Sequence, residues 1–258
     1  MDTTTLIALA ATGFVVAIFS VAIGGTALIM VPLLIGLGVD TRVAIASNKF
    51  ATLFLSTVGA IILLRGTTLP YKRWVYAHII PVVVGSVIGA IFIVKTPTQG
   101  LRILIAIATL AIAALLLAKP SIGLEGAYDS LRHRRLALSI IIFLPLSIYG
   151  GIFTGGYATL LTYAFVLLLG FRFLEGAAAT RLMSVFSTAA TSVFLGAHGL
   201  IDYRIGLTLA TTYSIGAFLG ARLALKHGSP WIRRLFIMAA ILLAARILAL
   251  EVYDLWLK

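Results

Sequence analysis

Long apolar runs, separated by short charged or Pro/Gly breaks, set the pattern of this chain. They fall at residues 5–38, 43–64, 74–94, 101–118, 136–170, 177–195, 205–225 and 235–252. Six of them are about the ~20 residues that a helix needs to cross a bilayer. The runs are continuous, without alternation of apolar and polar positions, so helices are predicted and barrel strands are not. The expected fold class is all-α: a polytopic transmembrane helical bundle of about eight hydrophobic segments. No stretch is long or polar enough for a soluble domain, so residues 1–258 form a single membrane domain. The first five residues carry one acid and no base, so the first segment is expected to be retained and not cleaved as a leader.

Two runs, 5–38 and 136–170, exceed one crossing, and glycines interrupt each near its middle. These are Gly24 and Gly25 in the first, and Gly150, Gly151, Gly155 and Gly156 in the second. Glycine weakens a helix and opens backbone angles closed to other residues. Inside a bilayer a broken helix persists only where protein buries it or where it lines a cavity. Paired interruptions in two halves point to a transporter binding site; the plainer alternative is close helix packing.

The two halves superimpose. Gly24, Gly25, Thr26 and Ala27 fall on Gly155, Gly156, Tyr157 and Ala158; Gly38 falls on Gly170. Asn48 and Lys49 fall on Thr180 and Arg181, Tyr71 and Lys72 on Tyr203 and Arg204, and Gly85 and Gly89 on Gly216 and Gly220. The near-constant offset marks a duplication, with repeat one at 5–118, a connection at 119–135 and repeat two at 136–254. The two small-xxx-small pairs bring helices close. If each long segment crosses once, the halves are parallel; if each folds back, they can be inverted. The loops' basic residues are nearly balanced between the two sides and leave both arrangements open.

Composition supports the membrane assignment. Hydrophobic residues make up 61% and charged residues 11%, with a mean hydropathy of +1.13, where a soluble domain carries roughly a quarter charged. The net charge of +12 lies mostly in short connections: Arg65, Lys72, Arg73, Lys119, Arg132, Arg134, Arg135, Lys226, Arg233 and Arg234. They cap apolar segments and form no stripe with interleaved aromatics, so they point to anionic headgroups and not to nucleic acid. With no cysteine, disulfides and thiolate sites are excluded. No H-E-x-x-H, G-x-S-x-G or P-loop motif is present, so no enzyme is expected, and no metal or cofactor.

The candidate chemistry is cationic. Lys49 and Arg181 each sit a few residues inside an apolar segment, at the same place in its half. Small polar residues surround them: Ser47, Asn48 and Thr52 in one half, Thr180, Ser184, Ser187 and Thr188 in the other. A cation within a membrane segment costs at least ~2.5–3.5 kcal/mol on insertion scales, so it usually faces a polar interior. With amide and hydroxyl donors the two make an anion site; the alternative is snorkelling to headgroups. All eight acids lie in loops or near segment ends, so no carboxylate sits in mid-membrane for cation coupling. Glu175 is within reach of Arg181. His78 is the candidate for proton coupling, although a lone His there more often serves packing.

Taken in order, Ile23, Gly24 and Gly25, Pro32 and Leu33, and Ala46 through Phe50 resemble the first repeat of the sulfite exporter TauE/SafE family. Ala179, Thr180 and Arg181 with Ser184, Gly199, Asp202, the run Gly216 to Ala224, and Lys226 to Gly228 resemble its second. The resemblance covers nearly the whole chain apart from 119–135. It departs at Thr26, where the family often continues with glycine, and at Arg181, where lysine is expected. It implies a multi-pass permease of the bacterial inner (plasma) membrane that exports sulfite, organosulfonates or related sulfur-containing or carboxylate anions. The expected mechanism is alternating access between the repeats. The expected substrate site comprises Lys49, Arg181, Asn48, Ser47, Thr180, Ser184, Gly24, Gly25, Thr26, Gly155 and Gly156. The expected partners are a small anion, the lipid bilayer and a second copy in a homo-oligomer. The rival classes are a non-transporting scaffold that uses the glycine pairs to hold partner helices, and an anion channel.

Overall fold

The computed structural model describes residues 2–105, 107 and 133–228. The segment predicted at 235–252, most of that at 101–118 and most of the 119–135 connection lie outside the described residues. Helices run in the order α1 (Thr3–Ile23), α2 (Thr26–Gly36), α3 (Thr41–Gly66), α4 (Lys72–Ala77) and α5 (Ile79–Lys95). After α6 (98–105) come α7 (His133–Ile152), α8 (Tyr157–Leu169), α9 (Phe173–Ala197) and α10 (203–228). There is no strand among the described residues. Four stretches are long and apolar enough to cross a membrane: Thr3–Val21, Thr41–Gly66, Lys72–Lys95 and Phe173–Ala197. This is a helical membrane bundle. Its most exposed large side chains, Ile7, Ile80, Ile141 and Val193, are apolar, whereas many Ser and Thr residues are buried. Such an arrangement suits lipid outside and a polar interior.

Local chemistry sets the breaks. Asp40 caps α3 by accepting from the Arg42 and Val43 N–H groups at 2.9 and 3.4 Å. Pro81 has no N–H to offer the Ala77 carbonyl one turn back, and its ring crowds that oxygen. This ends α4 at Ala77 and makes His78 the joint with α5. α2 and α8 both start from a left-handed glycine, Gly25 (φ 102°) and Gly156 (φ 74°), a conformation that side chains disfavour. In the second half the interruption lies at residues 153–156. Gly150 and Gly151, expected to be part of the break, are helical and complete the last turns of α7. There they give close packing: Gly150 lies under the Tyr157 ring, and Gly151 lies against Ser86 and Gly89 of α5.

Small-residue contacts fix the running directions. Gly85 abuts Leu144 and Ser147, and Gly89 abuts Ile148 and Gly151, so α5 and α7 run parallel. Gly216 abuts Phe14 and Ala17, and Gly220 abuts Ile18 and Val21, so α10 and α1 do the same. α3 runs with α10, since Phe50 lies beside Gly206 and Leu225 beside Gly66. It runs against α9: Gly59 lies beside Arg181 near one end, and Ser47 bonds the Asp202 N–H just past the other. It also runs against α5, whose Thr96 carbonyl accepts from Arg42 at the start of α3. Hence α1, α3 and α10 point one way, and α5, α7 and α9 the other.

Equivalent helices of the two halves therefore point in opposite directions, and the repeats are inverted. The short helices make this possible. Thr26 lies beside Thr52 in the middle of α3, and α2 then leads back to the start of α3, antiparallel to it. α8 returns along α9 likewise, with Thr162 beside Thr180. Each long apolar segment is thus a hairpin that folds back at its glycines. Each small-xxx-small pair is also occupied within the chain, packed on the broken helix of the other half.

Candidate functional site

The two hairpin turns meet. A Cβ placed on Gly24 would lie 2.7 Å from the Ala158 Cβ, and one on Gly155 would lie 2.7 Å from Leu28 Cδ2. Each break therefore sits on the first turn of the other half's short helix. Gly24 (φ 84°, ψ −177°) occupies a backbone region that L side chains avoid. Neither α2 nor α8 has a side-chain cap at its N-terminus; the Leu28 N–H bonds the Gly25 carbonyl and the Tyr157 N–H the Thr154 carbonyl, and the two first turns lie at the same junction. The positive ends of two helix dipoles converge there.

A small cavity lies at this junction, with about 10 Å³ of room, enough for about one water molecule. Gly24, Gly25 and Thr26 contribute from the first break, and Thr154, Tyr157 and Ala158 from the second. Ser20 of α1, Thr52 of α3, and Arg181, Ser184 and Thr188 of α9 complete the wall. Most hydroxyls here are engaged: Thr26 with Thr52 at 3.4 Å, Thr52 with the Asn48 carbonyl, and Thr188 with the Ser184 carbonyl. The Ser184 hydroxyl, on a residue only 3% exposed, has no hydrogen-bond partner. A buried polar group left unmatched costs free energy until something bonds it.

Both intramembrane cations are fully buried, and they cross over between the halves. Arg181, in the second half, donates from Nε to the Val21 carbonyl at 2.6 Å and from a terminal nitrogen to the Ser20 carbonyl, at the C-terminal end of α1. Lys49, in the first half, donates from Nζ to the Gly150 carbonyl at 2.5 Å, in the last turns of α7. Each broken helix has a partial negative charge at its C-terminus, and each receives a cation from the other repeat, although the Ser20 carbonyl also accepts from the Gly24 N–H at 2.6 Å. Arg181 also lines the cavity; Lys49 does not.

The predicted site residues thus divide. Gly24, Gly25, Thr26, Arg181 and Ser184 are brought together around the cavity. Gly155 and Gly156 form the second turn, just behind its wall. Ser47 accepts from the Asp202 N–H at 2.9 Å, Asn48 Oδ1 accepts from the Tyr213 hydroxyl at 2.8 Å, and Thr180 accepts from Thr162 at 3.1 Å. All three tie helices together outside the cavity wall. Glu175, considered as a neighbour of Arg181, closes the N-terminus of α9 by accepting from the Arg172 N–H at 2.8 Å. His78 is held between the Trp74 carbonyl at 2.7 Å and the Ser139 hydroxyl at 2.8 Å, with Phe143 and Phe165 against its ring. Ser20, Thr154, Tyr157 and Ala158 are wall residues that the sequence reasoning did not select. Tyr157 and Ala158 were visible as repeat partners of Thr26 and Ala27; Ser20 and Thr154 carried no signal.

The repeat is not used symmetrically. Thr26 leaves space beside the first break. Its counterpart Tyr157 fills the same place beside the second, its ring over Gly150 and its hydroxyl 3.3 Å from Ser147. The cavity at the duplicated turns is therefore displaced toward Arg181.

The family model described as sulfite exporter TauE/SafE matches residues 9–247. The chain belongs to that family. It is a membrane transporter and not an enzyme, as the resemblance implied. Among its relatives, a probable membrane transporter protein of Haemophilus influenzae is 26% identical over 94% of this chain and 92% of its own. Probable membrane transporter protein ORF9 of Sinorhizobium sp. is 28% identical over 88% and 85%. Probable membrane transporter protein YfcA of Escherichia coli K12 is 25% identical over 87% and 82%. No solved structure matches the chain.

Proposed function

We propose that this transporter carries a small oxyanion, sulfite or an organosulfonate being the leading class, out across the inner membrane by alternating access at the junction of the two hairpins. One observation carries this reading: two uncapped half-helix N-termini meet Arg181 and an unpartnered Ser184 hydroxyl at one buried cavity. Helix N-termini and a guanidinium both favour oxyanions, the first through N–H groups and dipole, the second through its planar donor fork. At its present size the cavity cannot admit such an anion, so loading requires the Gly24 and Ala158 surfaces to part. Inverted repeats supply a route, since exchanging the conformations of the halves turns one side's opening into the other's. The scaffold alternative loses its docking faces, because both glycine pairs are already packed within the chain.

The test is saturable flux of radiolabelled sulfite, methanesulfonate or acetate from proteoliposomes. Wild-type protein is expected to transport at least one of them. Arg181→Ala and Thr26→Tyr, which removes the cationic wall or fills the cavity, are expected to abolish that flux. Normal transport by both variants places the site elsewhere.

A further inference from the structure

We infer that Lys49 and Arg181 occupy the seats that a co-transported cation would need, so that the carrier moves its anion alone and is driven by membrane voltage. This rests on the anion-transport reading above and adds its energy source. In carriers with broken helices, coupling cations are commonly held by exposed carbonyls at half-helix C-terminal ends. Here the corresponding ends are those of α1 and α7. The Ser20 and Val21 carbonyls of α1 receive the Arg181 guanidinium, and the Gly150 carbonyl of α7 receives the Lys49 ammonium. Both cations come from the opposite repeat, so the seating follows the inverted symmetry and is not an accident of one helix. Among the described residues no acid lines the cavity: Asp40 and Glu175 cap the starts of α3 and α9, and Asp2 precedes α1. A mobile cation arriving at the junction would meet the Ser20, Val21 and Gly150 carbonyls already bonded to the Arg181 and Lys49 side chains.

A covalently attached cation returns with the protein in every cycle. The net charge moved per turnover is then that of the substrate, and an inside-negative membrane expels it. His78 lies outside the cavity wall, bonded through both ring nitrogens and packed between aromatic rings, so it is not placed to accompany the anion.

Wild-type proteoliposomes in sodium-free buffer, strongly buffered to the same pH on both sides and without protonophore, are given a tenfold inward potassium gradient and valinomycin. Radiolabelled sulfite is expected to accumulate inside by about tenfold where the singly charged form is carried and about a hundredfold where the doubly charged form is, because each charge contributes one voltage factor. Accumulation driven by a sodium or pH gradient, or saturable exchange that ignores valinomycin, overturns the inference and leaves the anion-transport reading intact. No saturable flux of sulfite, methanesulfonate or acetate overturns both. As a second measure, Lys49→Ala vacates the α7 seat. Its unfolding midpoint is expected to rise in sodium chloride relative to N-methylglucamine chloride, with no such rise in wild type; equal midpoints count against the seat. The voltage measurement uses unmodified protein and holds whether or not this variant folds.

Discussion

Replacing Gly220 by alanine puts a methyl group where α10 crosses α1. The added carbon would overlap the Ile18 carbonyl oxygen and lie 2.8 Å from the Ile18 carbonyl carbon and 2.7 Å from Val21 Cγ1. A valine methyl can turn aside, but a backbone carbonyl inside a helix cannot, so the helices must separate. Gly36, in the last turn of α2, has nothing within 4 Å of an added Cβ. Alanine gains up to about 1 kcal/mol of helix propensity over glycine in either place, so that term largely cancels in the comparison. What remains is the overpacking cost, about 1–3 kcal/mol in a tight core, and a rigid backbone contact belongs at its upper end. Gly220→Ala is therefore expected to be about 2–3 kcal/mol less stable than Gly36→Ala, roughly 30- to 150-fold in the folding equilibrium. Reversible unfolding by SDS titration in mixed micelles measures this. Gly89→Ala, whose methyl would meet the Ile148 carbonyl and Gly151, should cost about the same if the crossings are inverted copies. A Gly220→Ala stability within about 0.5 kcal/mol of Gly36→Ala would refute the packing argument.

Further outcomes follow from individual contacts. Ser184→Ala removes a buried hydroxyl with no partner in the empty protein, so thermal stability should hold or rise slightly. Anion affinity should fall by roughly 5- to 10-fold, the worth of one hydrogen bond of about 1–1.5 kcal/mol; a titration followed by thermal shift separates the two effects. Asp40→Ala strips the cap from α3 and is expected to cost about 1 kcal/mol, read as a lower unfolding midpoint with unchanged substrate affinity. Gly24→Ala combines a positive φ with a 2.7 Å approach to Ala158. Flux should disappear even where the protein still folds, and normal flux would show that the turn tolerates a side chain.

Much of this architecture was legible along the chain because its causes are local. Apolar run length reports bilayer thickness, so helices and spans could be placed from sequence, and Gly24 with Gly25 marked the first hairpin turn correctly. Gly150 and Gly151 misled, since glycine signals either a break or a close approach and the sequence carries no partner to tell them apart. The Tyr157 ring and α5 decide it, and both arrive from elsewhere in the fold. The offset between repeats revealed the duplication but not its sense, because inversion depends on whether α2 and α8 turn back, and nearly balanced loop charges gave no side a preference.

The residue types of the site were determined by the sequence itself: a buried arginine and lysine, small hydroxyls one helical turn apart, and flexible glycines at the break. Tertiary structure decided their duties. Ser47, Asn48 and Thr180 look like donors along the chain, yet in the fold each accepts a hydrogen bond from another helix or its cap, outside the cavity wall, and the Asn48 amide nitrogen is left without a partner. Lys49 and Arg181 look equivalent, yet only Arg181 borders the cavity, since Tyr157 fills on one side the space that Thr26 leaves on the other. A side chain's chemistry is written in its residue, but its partner is whatever long-range packing brings within about 3 Å.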